Sequence, residues 1–201
     1  DFFYSMRSPW SYIATYQVQE ISIKYNIKFN IRFVYPIALR IKGFFEKIDP
    51  LFAPYLLRDA SRVAEMKNIP YRWPSPDPIV MEMPNKNSNK ELKSPKIDNN
   101  QPYIYRITRL GVLAGLYNKD LEYVCNVAKL IWDGKTKDWD QGNHINNILS
   151  NIGLNAEKMN AEIITRKDEI EKIISNNQTL HRKTGHWGVP LFGFNNEPFF
   201  G

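Results

Sequence analysis

The sequence predicts a mixed α/β protein, a βαβ…ββ domain interrupted by a large all-helical insertion. Three observations carry this reading. Strand-like runs of β-branched and aromatic residues lie only near the two ends, at Asp1–Tyr4 and Ile27–Val34 and again from Val189 to Phe200. A helix-length segment, Trp10–Tyr25, separates the first two runs, so they form a βαβ unit with parallel strands. Between Tyr35-Pro36 and Val189 the apolar periodicity is helical, with almost no strand alternation.

Each element follows from local chemistry. Asp1–Tyr4 reads as the end of a buried strand and Ser5–Ser8 as a connecting loop. Pro9 suits a first helical position, where its missing N–H would be unpaired in any case. Ser8 then falls on the N-cap, with a hydroxyl that can accept from the first-turn amides. Trp10, Ile13, Ala14, Ile21 and Ile23 supply the apolar positions of the helix. Ile27, Phe29, Ile31 and Phe33 alternate as a half-buried strand does, and Tyr35-Pro36 breaks it. Helices are expected at Pro54–Asn68, Tyr103–Tyr117, Leu121–Trp132, Trp139–Asn151, Ala156–Ile164 and Asp168–Thr184. Pro70, Gly134, Gly153 and Gly185 stand near helix stops. The polar, Lys- and Asn-rich stretch Asn85–Gln101 reads as an exposed, mobile loop. Val189–Phe194, the turn Asn195-Asn196 and the run from Pro198 form a hairpin. The resulting domains are a discontinuous sheet domain, 1–42 with 180–201, and a helical insertion, 43–179.

Composition narrows the function. A 43% hydrophobic and 13% aromatic content belongs to a chain that buries a core, not to a disordered one. The single cysteine, Cys125, excludes an intramolecular disulfide, and it sits on an apolar helical face as a buried inert thiol. No apolar run is long enough to cross a bilayer and no signal peptide is visible, so a cytoplasmic location and no membrane partner are expected. The net charge of +6 suits a solvated basic surface or a small anionic ligand. No dense Lys/Arg cluster with interleaved aromatics argues for nucleic acid. His144, His181 and His186 show no metal spacing, so no metal is expected. Asp59 and Arg62 have the spacing of an intrahelical ion pair.

The stretch with chemical content is Ser8-Pro9-Trp10-Ser11, a C-P-W-C redox motif with serine in both cysteine positions. A cysteine at this helix N-terminus would have a lowered pKa. A serine cannot do redox work, but it can hydrogen-bond a thiolate brought by a ligand. From position alone, an ordinary N-cap worth about 1 kcal/mol is the simpler account. Val189-Pro190, opening the last strand run, is a candidate cis peptide whose Val189 backbone would pair with an extended ligand. An ordinary trans proline at a strand start is the alternative. Trp10 and Trp187 are candidates to wall the cleft between these two places.

The chain resembles the 2-hydroxychromene-2-carboxylate isomerases. These group with the kappa-class glutathione transferases and, more distantly, with DsbA-type thioredoxin-fold oxidoreductases. The resemblance rests on Ser8-Pro9-Trp10-Ser11-Tyr12, on Tyr55-Leu56-Leu57-Arg58-Asp59-Ala60-Ser61-Arg62 leading to Asn68-Ile69-Pro70, and on Gly185-His186-Trp187-Gly188-Val189-Pro190-Leu191-Phe192. It implies a thioredoxin-like fold and a glutathione-dependent enzyme acting on a small aromatic or electrophilic substrate in aromatic-compound degradation. Ser8 would polarise the glutathione sulfur. Val189, before cis Pro190, would pair with the cysteinyl unit, and Trp187 would flank it. The family's Gly-Asn-Lys-Pro-Pro stretch is replaced by Glu46-Lys47-Ile48-Asp49-Pro50, so Asp49 is the candidate for a contact to the glutathione amine. The resemblance also implies a homodimer, and a final helix beyond Gly201. A kappa-like transferase and a non-catalytic DsbA-like peptide binder are the alternatives to an isomerase.

Overall fold

The computed structural model describes residues 1–84 and 94–200. Four strands form the main sheet: β1 (Phe2–Tyr4), β2 (Ile31–Phe33), β5 (Leu191–Phe194) and β6 (Glu197–Phe200), in the order β2-β1-β5-β6. β1 and β2 run parallel with Phe2 opposite Ile31 and Tyr4 opposite Phe33, as the βαβ reading requires. β5 runs antiparallel to β1, and β6 to β5. Asn195 and Asn196 connect β5 to β6, both at positive φ (49° and 64°), the backbone that a two-residue hairpin needs.

Helix α1 (Pro9–Tyr25) joins β1 to β2. Its N-terminal half is buried, through Tyr12, Ile13, Ala14 and Val18, whereas Ile23 is 77% exposed. The apolar stripe expected to reach Ile23 therefore ends earlier. Asn26, left-handed at φ 51°, stops the helix. Residues 27–30 then run as irregular chain, so β2 begins at Ile31 rather than Ile27.

Among the described residues the segment between β2 and β5 holds α2 (Ile37–Arg40), α3 (Phe44–Lys47), α4 (Phe52–Met66), α5 (Pro102–Leu116), α6 (Asp120–Trp132), α7 (His144–Asn151), α8 (Ala156–Thr165) and α9 (Lys167–Lys183). It also holds a small ribbon that the helical periodicity did not predict, β3 (Met81–Glu82) antiparallel to β4 (Lys96–Ile97). Part of the stretch expected to be a mobile loop, residues 94–101, thus carries β4, and residues 85–93 lie outside the described part. Helix α7 starts at His144, not Trp139. Asp138 and Gly142 adopt positive φ there, and buried Trp139 donates its Nε1–H to the Pro76 carbonyl at 2.8 Å.

One core cluster runs from Phe2, Tyr4, Ile31 and Phe33 on the sheet to Ile107 and Leu110 of α5 and Val124 and Val127 of α6. Gly111 lets α5 approach β2, because a Cβ there would lie 2.5 Å from the Phe33 ring. The opposite face, Phe3 and Leu191, is covered by Leu180 and His181 of α9. Among the described residues no helix is long and apolar enough to cross a membrane.

Candidate functional site

The loop Ser5–Ser8 leaves β1 at the edge of a large cavity, and three anchors fix it. The Met6 carbonyl accepts from Trp132 Nε1–H at 3.1 Å. Arg7 makes a two-pronged ion pair with Asp77, at 2.7 and 2.8 Å, and its guanidinium lies over the Trp73 ring. The Ser8 N–H donates to the Ser5 carbonyl at 3.0 Å. Tyr12, one turn into α1, is fully buried and donates its hydroxyl to the Pro70 carbonyl. Two of the sequence motifs, the start of α1 and the stop after α4, are thereby joined.

Ser8 is the N-cap of α1. Its Oγ accepts from the Ser11 N–H at 3.1 Å and donates to the Val189 carbonyl at 3.3 Å. The second bond is long for O–H···O and therefore weak. Ser8 is half-buried and lines the cavity, whereas Ser11 is wholly buried and its hydroxyl has no partner among the described residues. Of the two serines of the Ser8-Pro9-Trp10-Ser11 motif, only Ser8 lines the cavity.

The loop from Trp187 to Pro190 forms the opposing wall. The Val189–Pro190 peptide bond is cis. The Val189 N–H donates to no group among the described residues. His181, fully buried, holds this loop through Nε2, 2.7 Å from the Gly188 carbonyl. A carbonyl only accepts, so Nε2 carries the proton and Nδ1 is left as an acceptor. That Nδ1 faces Arg40 Nη1 at 3.5 Å. Burial, with Arg40 beside it, holds the His181 pKa below its ordinary value and keeps the ring neutral.

The cavity has a volume of about 860 Å³ and is walled mostly by apolar groups: Trp10, Phe44, Phe45, Phe52, Leu56, Trp73, Met81 and Trp187 among them. Ser8, Val189, Pro190, Trp10 and Trp187 all line it. Asp49 does not. It is exposed and accepts from the Leu51 N–H at 2.8 Å, ahead of α4. Asp59 lines the cavity and accepts from the Tyr55 hydroxyl at 3.4 Å, and makes no ion pair with Arg62 among the described residues, which corrects the pairing expected from their spacing. Cys125 is buried in α6 away from the cavity wall, and desolvation pushes its thiol up to about 11. No protein thiol therefore reaches this site.

Three charged cavity residues, Arg7, Arg40 and Asp77, escaped sequence reasoning. Arg7 is neutralised by Asp77. Arg40 is half-buried and has no carboxylate partner among the described residues; its Nε donates to the Tyr35 carbonyl at 2.8 Å and its Nη2 to the Trp187 carbonyl at 3.4 Å. Desolvation, and secondarily Arg182, pulls its pKa down to about 10. The available signal was a lone arginine in the apolar run Pro36-Ile37-Ala38-Leu39-Arg40-Ile41.

The whole chain, residues 1–201, matches the family model described as a DSBA-like thioredoxin domain, and the protein belongs to that family. No curated protein matches the chain.

Proposed function

We propose that this member of the DSBA-like thioredoxin family is a glutathione-dependent enzyme, an isomerase of the 2-hydroxychromene-2-carboxylate type. The supporting observation is the Ser8 hydroxyl at the start of α1, facing an apolar cavity where the family's redox relatives carry a cysteine. Serine at both positions 8 and 11 leaves this site without dithiol chemistry of its own. What remains is a hydrogen-bond donor in the positive field of a helix N-terminus, a setting that stabilises a thiolate.

The residues fit glutathione on chemical grounds. Ser8 Oγ–H gives only a long bond to Val189, so re-aiming it toward a sulfur sacrifices little. The Val189 N–H is available to an extended peptide backbone. Trp10 and Trp187 supply flat apolar walls. Bound glutathione supplies a thiolate that adds reversibly to a conjugated double bond, which allows rotation about it. Ser8 lowers the pKa of that sulfur and holds it in place, Val189 orients the tripeptide, and the aromatic walls exclude water and align the second substrate. The same site serves a kappa-like transferase, and the size of the apolar cavity suits a range of electrophiles.

Thermal unfolding with added glutathione tests the reading. At about tenfold above Kd the ligand adds roughly 1.4 kcal/mol, raising Tm by about 3–5 °C for a chain of this size. The expected result is a saturable shift with glutathione. An unchanged Tm through millimolar glutathione removes both the isomerase and the transferase readings and leaves the peptide binder.

A further inference from the structure

An arginine inside an apolar cavity is costly unless something uses its charge. Arg40 is such a residue. Its guanidinium has five N–H donors in a planar fork. Among the described residues, protein groups take three of them, and two of those bonds are long: Tyr35 O at 2.8 Å, Trp187 O at 3.4 Å and His181 Nδ1 at 3.5 Å. All three acceptors are neutral. They orient the fork without discharging it. Among the described residues the cavity's carboxylates make no ion pair with it: Asp77 holds Arg7, and Asp59 accepts only a long bond from Tyr55. Arg40 and Ser8 are also tied to the same loop, to the carbonyls of Trp187 and Val189 two residues apart. A ligand held at Ser8 thus lies on the same wall as an oriented cation that has no carboxylate partner among the described residues.

We propose that Arg40 is the specificity-determining residue of this site, taking the carboxylate of an aromatic acid whose ring system lies along Phe44, Phe45, Phe52 and Leu56. The proposal rests on the thiol-site reading above only in making this acid the second substrate. Binding of the acid itself depends on Arg40 and the apolar wall. A charge-assisted bond of this kind separates an acid from the neutral molecule of the same shape. The enzyme therefore selects anionic electrophiles and is a poor transferase for neutral ones. His181 acts as a positioning residue, since its Nδ1 faces the guanidinium and its Nε2 fixes the loop that carries the Trp187 carbonyl.

The test compares 2-naphthoate with its neutral analogue 2-naphthalenemethanol, by calorimetry on the full chain. Wild-type protein should bind the acid at least about tenfold more tightly than the alcohol. Arg40→Met should remove that preference, leave the affinity for the alcohol within about twofold, and leave glutathione binding intact. Arg40→Lys should restore part of the preference. Equal wild-type affinities for acid and alcohol overturn the proposal, as does an undiminished preference in Arg40→Met. Loss of glutathione binding in Arg40→Met with the acid preference intact assigns the guanidinium to the tripeptide and also overturns it. If Arg40→Met does not fold, Arg40→Gln carries the same comparison. An acid preference without a glutathione-induced shift in Tm removes the thiol reading and leaves Arg40 standing; the shift without the preference does the reverse.

Discussion

Ser8 carries two roles that mutation separates. As an N-cap it contributes about 1 kcal/mol, so Ser8→Ala should lower Tm by roughly 2–4 °C. As the donor to a thiolate, its loss should cost about 10²-fold in turnover. Turnover falling only in proportion to stability would reduce Ser8 to a cap. His181 gives a second residue-scale prediction. Its folded pKa lies below the unfolded value near ~6.5, so the unfolded chain binds more protons between the two. Stability is intact above about pH 6.5 and falls as pH drops below it. Denaturant midpoints at neutral pH and at ~pH 5.5 should show that loss in wild-type protein and a flatter response in His181→Gln. A profile as steep in His181→Gln would place the acid sensitivity elsewhere. Residues whose role is set by their neighbours along the chain were legible in the sequence. Ser8 was, because Pro9 and the helix after it define a cap. Arg40 and Asp77 were not, because what matters about them is which distant groups do or do not face them.

At the scale of elements, the closest approach of helix to sheet is α5 over β2. Gly111→Ala would drive a methyl group into the buried Phe33 ring, with 2.5 Å between the nearest atoms. It should destabilise the protein by about 1–3 kcal/mol, although alanine is the better helix former. An unchanged or raised denaturant midpoint would contradict this packing. The same comparison shows what periodicity can reveal. α5, α6 and α9 were legible because one buried stripe runs the length of each. The βαβ start and the Asn195-Asn196 hairpin were legible because their connections are local. The start of α7 was misplaced because Trp139 is apolar for the sake of the cavity-side loop at Pro76, not for a helix stripe. Strands β3 and β4, two residues each, are too short to show alternation.

At the scale of the whole molecule, sheet and insertion share one core, and Cys125 of α6, adjoining that core, is itself buried. With its thiol held up near about 11 by burial, Cys125 should resist a thiol reagent at neutral pH and react only as the chain unfolds. Rapid labelling of the native protein would contradict the burial. The cavity lies where the two chain ends of the sheet, the Ser5–Ser8 loop and the Trp187–Pro190 loop, meet the apolar face of α3 and α4. Sequence motifs located the first two walls and, through Tyr55–Arg62, part of α4, whereas the Phe44-Phe45 side of the third came only with the fold. The account's central claim is that this protein's missing sulfur comes from its ligand and is held by Ser8. Titration of the thiol of bound glutathione, followed by thiolate absorbance, tests it most directly. The account predicts a bound thiol at least about one unit more acidic than a free thiol near ~8.5 in wild-type protein, with most of that shift lost in Ser8→Ala. A bound thiol that titrates like the free one, or identically in both proteins, would contradict it.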